Sequence, residues 1–251
     1  MEHYALPVQV YAAGLIFARV GALVMLLPGI GETAVPPRIR LGLALLLSLM
    51  LFPVVGARLP AVPGDLGALA GQVIVEILIG LAIGTLLRLF LGALAVAGEV
   101  ISLQTTLSFA QTANPMQAQP STSVATFLGV VGLTLVFATD LHQLFLAALV
   151  KTYALFPPGG RLPTADLSRL AVKTVGDTFA LGVQLSAPIL VFSLVVYVAA
   201  GLIGRMMPQF QVFFAATPLI LLLGLSGLAL GLGVIGLVWV DRFRAFLGQL
   251  G

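Results

Sequence analysis

The chain has 251 residues, 60% of them hydrophobic and only 8% charged, with a formal net charge of +3 and a mean hydropathy of +1.14. A soluble domain carries roughly 25% charged residues, so an ordinary water-soluble fold is excluded and an integral membrane protein is expected. Cysteine is absent, which removes disulfides, thiol catalysis and thiolate-bound metals.

The opening MEHYALPVQV has no cationic region, and no small-residue cleavage site follows its apolar run. The first helix is therefore expected to be retained. Apolar segments recur at 8–27, 41–56, 66–97, 124–150, 178–204 and 213–240. A helix needs about 20 residues to cross a hydrocarbon core, whereas a barrel would need short alternating strands. The fold class read from this pattern is all-α: a polytopic membrane protein of about six long, tilted helices forming helical hairpins. The longest polar connection, 151–173, is too short to fold alone, so one membrane-embedded domain is expected to cover 1–251.

Pro28, Pro36 and Pro37 bracket a first loop, and Pro53, Pro60 and Pro63 a second; proline disfavours helix at and before its position, so helices should end there. Residues 66–97 taken as one helix would run roughly 48 Å against a hydrocarbon core near 30 Å. That element must tilt, break or project beyond the bilayer. Residues 172–204 and 213–247 pose the same problem, with Pro188 available as a kink in the first. Arg58, Lys151, Arg161, Arg169, Lys173, Arg242 and Arg244 fall on one side of a six-span layout, and Arg38, Arg40 and Arg205 on the other. The positive-inside rule then puts both termini in the cytoplasm.

Ionisable residues in apolar segments are costly and mark functional sites by default; here they are Arg19, Glu76, Arg88, Glu99, Asp140 and His142. They form either a proton or ion path, or buried pairs and snorkelling side chains that fix assembly. Arg88 and Glu99 share a helix face to within about 20° but stand roughly 16 Å apart along the axis. Each needs a partner on another helix, on another subunit or in water. Asp140 and His142 at i, i+2 point to different helix faces, which argues against a dyad. Gly80 with Gly84, and Gly227 with Gly231, make GxxxG packing signals. No HExxH, GxSxG or P-loop occurs, so no enzyme, cofactor or metal site is expected.

Between two apolar runs stands SLQTTLSFAQTANPMQAQPSTS, residues 102–123, which is polar yet has no Lys, Arg, Asp or Glu. It is either a solvated loop turning at Asn114-Pro115, or a segment packed inside a lumen. Uncharged Gln, Thr and Ser exchange hydrogen bonds with water or neighbours at little cost, which suits a plug, and Phe109 and Met116 would supply an apolar seat. The interruption RMMPQFQV at 205–212 is either an ordinary turn or a subunit contact for backbone groups that need partners.

Three stretches, GEVISLQTTLSFAQTANP, DLHQLFLAALVKTYALFP and GRMMPQFQVFFAATPLILLLGL, resemble the flagellar FliR family and its injectisome counterparts. The resemblance covers nearly the whole chain in order. Its most specific parts are Gly98-Glu99 with Gln104 and Ser108-Phe109-Ala110, and Pro208-Gln209 with Val212-Phe213 and Pro218. The family usually has Asp-Pro where Asn114-Pro115 stands, commonly Asn where Gln211 stands, and a Lys where Leu219 and Ile220 stand.

The resemblance implies a non-enzymatic component of a hetero-oligomeric type III protein export gate in the bacterial inner membrane, at the flagellar basal body. One copy would join several copies of two smaller membrane proteins (FliP-like and FliQ-like), the FlhB-like switch protein and export ring components. Unfolded flagellar subunits would pass through, with membrane lipid around the gate and no nucleic acid involved. The implied pore-closing loop contains Gln104, Phe109, Asn114, Pro115, Met116 and Gln117. Glu99, Arg88, Glu76, Arg205, Pro208, Gln209 and Phe213 would serve as loop anchor or subunit contact. The alternative is a secondary transporter or channel for small solutes, with Arg19, Glu76, Arg88 and Glu99 as its midplane path; it requires inverted repeats, and none is evident in the sequence.

Overall fold

A computed structural model describes residues 6–56, 60–108, 122–160, 162, 164–207 and 212–249. These form α1 (Leu6–Leu26), α2 (Pro37–Val55), α3 (Leu66–Gln104), α4 (Ser123–Ala138), α5 (Leu141–Leu155), α6 (Thr164–Met206) and α7 (Val212–Gln249), with no strand among the described residues. The fold is all-α and polytopic. Five helices are long and apolar enough to cross a membrane, and α4 with α5 makes a sixth if that broken pair is one span.

The overlong elements are unbroken helices: α3 has 39 residues, α6 has 43 and α7 has 38, or roughly 58, 64 and 57 Å at 1.5 Å per residue. Two sequence expectations change. Pro53 does not end α2, which runs on to Val55 and closes with the Gly56 N–H on the Phe52 carbonyl; proline so near a helix end disturbs only the last turn. Residues 124–150 are not one helix, because Asp140 adopts the left-handed conformation (φ 57°, ψ 20°) and separates α4 from α5. Asp is among the few side chains that enter this region readily.

The chain divides into two compact units, 1–90 with 140–175 and 244–251, and 91–139 with 176–243. In the first, α1 and α3 run parallel: the Tyr11 hydroxyl donates to Gln72, and Arg19 meets Glu76. Gly80 and Gly84 continue the seam. A Cβ at Gly80 would overlap the Arg19 carbonyl oxygen, and one at Gly84 would stand 2.8 Å from Leu26 Cβ. This GxxxG therefore serves packing inside the chain, by backbone approach that only glycine allows.

Arg19 is wholly buried, and all three of its guanidinium nitrogens donate hydrogen bonds. Nε donates to Glu76 at 2.6 Å and Nη2 to the other carboxylate oxygen at 3.1 Å, a fork-on-fork pair. Nη1 and Nη2 also donate to the Thr152 and Phe156 carbonyls at the C-terminal end of α5, at 3.2 and 2.9 Å. The guanidinium lies 4.1 Å from the centroid of the Tyr153 ring. One cation thus neutralises one acid, caps the end of one helix and joins three helices.

In the second unit the C-terminal part of α3 is surrounded closely. A Cβ at Gly98 would overlap the Ala125 backbone of α4, one at Gly132 of α4 would overlap Leu94, and one at Gly182 of α6 would stand 2.6 Å from Val96. Trp239 and Phe243, both fully buried, pack ring to ring along α7 at 5.0 Å.

Removing one partner of a fully buried ion pair leaves a charge stranded. Glu76→Ala should cost roughly 3–5 kcal/mol, seen as a lower melting temperature of the detergent-purified protein, and Arg19→Met/Glu76→Met should recover part of it. Gly80→Ala should also lower the melting temperature, by pushing α1 off α3. Gly92→Ala, with nothing within 4 Å of the added carbon, should leave it unchanged.

Candidate functional site

The polar stretch flagged in the sequence begins on the last turn of α3 and ends at the first turn of α4. Phe109, Asn114, Pro115, Met116 and Gln117 lie outside the described residues. Both flanks are described, and each is held by a specific contact.

On the downstream flank, Glu99 accepts a hydrogen bond from the Thr122 backbone N–H at 2.9 Å. Thr122 is also the N-cap of α4: its hydroxyl accepts from the Ala125 N–H at 3.2 Å, satisfying one of the donors a helix start leaves without partners. Gly98 explains how the carboxylate reaches. Without a side chain there, the first turn of α4 comes into backbone contact with α3, and the next residue, Glu99, stands beside the N–H it binds. The Gly-Glu pair works as one unit, with Gly98 setting the separation and Glu99 making the bond.

On the upstream flank, the Gln104 side-chain oxygen accepts from Ser193 Oγ at 2.8 Å, and its backbone carbonyl accepts from the Tyr197 hydroxyl at 3.2 Å. Ser193 and Tyr197 are four residues apart on α6 and so face the same way. Thr105 is buried; its hydroxyl donates to the Ile101 carbonyl at 2.8 Å, and its methyl occupies the space a Cβ would need at Gly224 of α7. Thr106 then enters the left-handed region at φ 61°, which ends the helix at a cost for a β-branched residue.

The remaining sequence-flagged residues are not brought together here. Glu76 pairs with Arg19 inside the first unit. Arg88 pairs with Glu32 of the α1–α2 connection at 3.2 Å, both side chains about two-fifths exposed. Arg205 is exposed in the last turn of α6. Pro208 and Gln209 lie outside the described residues, and Phe213 is placed only by its backbone, in the first turn of α7. Arg19 and Glu76 thus partner each other, Arg88 partners Glu32, and Glu99 partners the Thr122 backbone. Asp140 stands just before α5 and not within a helix, so the i, i+2 argument fails there: His142 Nε2 lies 4.0 Å from Asp140 Oδ1. The Asp140 side chain is exposed and that of His142 half-buried. Among the described residues, no three His, Asp or Glu side chains gather as a metal site would require.

Gly224 belongs to the glycine-rich run that reads as a packing signal in the sequence; Thr122, Ser193 and Tyr197 were missed, the only sign of the last two being hydroxyl residues four apart in the apolar second half of α6.

Residues 10–246 match the model of the family described as bacterial export proteins, family 1. The chain is 57% identical over 247 residues to the flagellar biosynthetic protein FliR of Caulobacter vibrioides, covering 98% of each. It is 33% identical to the protein of that name from Escherichia coli, covering 84% of this chain and 80% of the relative. To the one from Bacillus subtilis it is 25% identical, covering 82% and 80%. The chain belongs to bacterial export protein family 1.

Proposed function

We propose that the chain is a subunit of the flagellar type III protein export gate, and that segment 109–121 closes the export channel at rest. It acts as one membrane-embedded domain, a single copy assembled with several copies of two smaller membrane proteins, FliP-like and FliQ-like. The FlhB-like switch protein and export ring components surround it in the inner membrane at the basal body. The gate passes unfolded flagellar subunits and carries out no catalysis of its own.

The observation that carries this reading is the contrast between the segment and its flanks. Residues 102–123 contain no charge, yet both sides are fastened, by Glu99 to Thr122 and by Ser193 and Tyr197 to Gln104. A tether with fixed ends and an uncharged, hydrogen-bonding interior can be seated and displaced without breaking an ion pair. Phe109, Asn114, Pro115, Met116 and Gln117 are the residues assigned to closure, and Pro208, Gln209 and Phe213 to subunit contact. The solute-transporter reading is not favoured, because Arg19 and Glu76 are spent on each other and on the end of α5.

Deleting residues 108–121 should raise the resting ion conductance of the assembled gate several-fold; unchanged conductance in a complex of normal composition would sink the proposal. Glu99→Ala should raise conductance partway toward that of the deletion, by freeing the Thr122 N–H. Glu99→Gln keeps an acceptor oxygen and should fall between parent and alanine variant, as read by the same conductance assay on gates of equal assembly.

A further inference from the structure

Ser193 holds a releasable position. Its hydroxyl carries one hydrogen but has two acceptors in reach, the Gln104 side-chain oxygen at 2.8 Å and the Leu190 carbonyl of its own helix at 2.9 Å. It is buried, where a hydroxyl without a partner would be costly. Letting go of α3 leaves no such hydroxyl, because the back-bond to Leu190 takes its hydrogen. One turn further along α6, the half-buried Tyr197 donates to the Gln104 carbonyl, one of the last carbonyls of α3 and without an N–H from its own helix.

The supporting helix has somewhere to go. Pro188 lies five residues before Ser193; having no N–H, it leaves the Gln184 carbonyl without its helical donor and softens α6 there. Beside it, a groove of about 260 Å³ opens between α6 and α7, lined by Gln184, Pro188, Ile189, Gly227 and Gly231. Unlike Gly80 and Gly84, Gly227 and Gly231 have no neighbouring atom closer than 3.8 Å to an added Cβ. On the far side of the joint, Thr106 holds a left-handed backbone that release would relax.

We propose that Ser193 and Tyr197 are positioning residues: they form a releasable grip on the C-terminal end of α3, through which α6 sets whether the gate is closed. The inference rests on the pore-closing reading above. Because Ser193 has a substitute acceptor, Tyr197 carries the larger share of the grip.

The test uses the assembled export complex and reads two quantities: hydrogen exchange of the amides of residues 101–106, and resting ion conductance. A hydrogen bond is worth a factor of about five. Ser193→Ala/Tyr197→Phe should therefore speed exchange by about five- to thirty-fold and raise conductance, with Tyr197→Phe alone giving most of the effect. Gln104→Leu should loosen the same amides, and Gln104→Glu, which keeps an acceptor for Ser193, should restore most of the protection and lower conductance toward the parent. Unchanged exchange overturns the proposal. So does faster exchange at parental conductance when the 108–121 deletion leaks. If the double variant does not assemble, Tyr197→Phe, which removes a single oxygen, decides by the same two readouts. A deletion that does not leak defeats the pore-closing reading and with it the role in gating, whereas the exchange result still shows separately whether the grip on α3 exists.

Discussion

A long helix in an apolar chain must find a partner for every polar group it carries, since a polar group left alone out of water costs several kcal/mol. α3 is where that constraint organises the molecule. Along its 39 residues, Gln72 meets Tyr11, Glu76 meets Arg19, Arg88 meets Glu32, Glu99 meets the Thr122 backbone, and Gln104 meets Ser193 and Tyr197. These partners come from α1, the α1–α2 connection, the start of α4, and α6. The polar positions of one helix thus choose which elements lie beside it, and the apolar residues between them fill the contacts so made.

Glycine makes those meetings possible. Gly80 lets α1 approach closely on the same side of α3 where Glu76 binds Arg19, and Gly98 does the same for α4 beside Glu99. Gly224 receives Thr105 one residue after Gln104. On α3 itself, Gly80 and Gly98 each sit within four positions of the polar group whose partner they bring near. Apolar contact alone gives helices little reason to choose one another in lipid; here close backbone approach and a buried hydrogen bond act at the same spot, and together they fix register.

Composition, segment lengths and the export-family motifs made the fold class legible in the sequence, because hydrophobic length is a direct requirement of the bilayer. The break at Asp140 was not legible. ATDLHQLF is polar but holds no Pro or Gly to mark a helix end, and a left-handed aspartate leaves no periodic trace. Of the candidate site, Gly98, Glu99 and Gln104 could be named from the sequence, but their partners could not. Helix geometry keeps Arg88 and Glu99 too far apart to pair, yet a sequence read one helix at a time has no means of matching Glu32 to Arg88 across 56 positions. Ser193 and Tyr197 lie 89 and 93 positions from Gln104, and an isolated serine in a long apolar helix reads as incidental.

The two kinds of polar contact on α3 differ in what they permit. The Arg19–Glu76 pair is wholly buried, bidentate and shared with two carbonyls; separating it would strand two charges, so it holds as long as the protein is folded. The contacts flanking segment 109–121 are single hydrogen bonds, one made by a hydroxyl that has a second acceptor waiting. The neutral bonds at Gln104 are worth about 1 kcal/mol net each and a carboxylate bond such as that of Glu99 about 1.5–3 kcal/mol, less than the cost of separating a buried ion pair. One helix therefore carries a permanent joint toward its first half and reversible joints at its end, and the uncharged composition of residues 102–123 keeps the second kind from becoming the first.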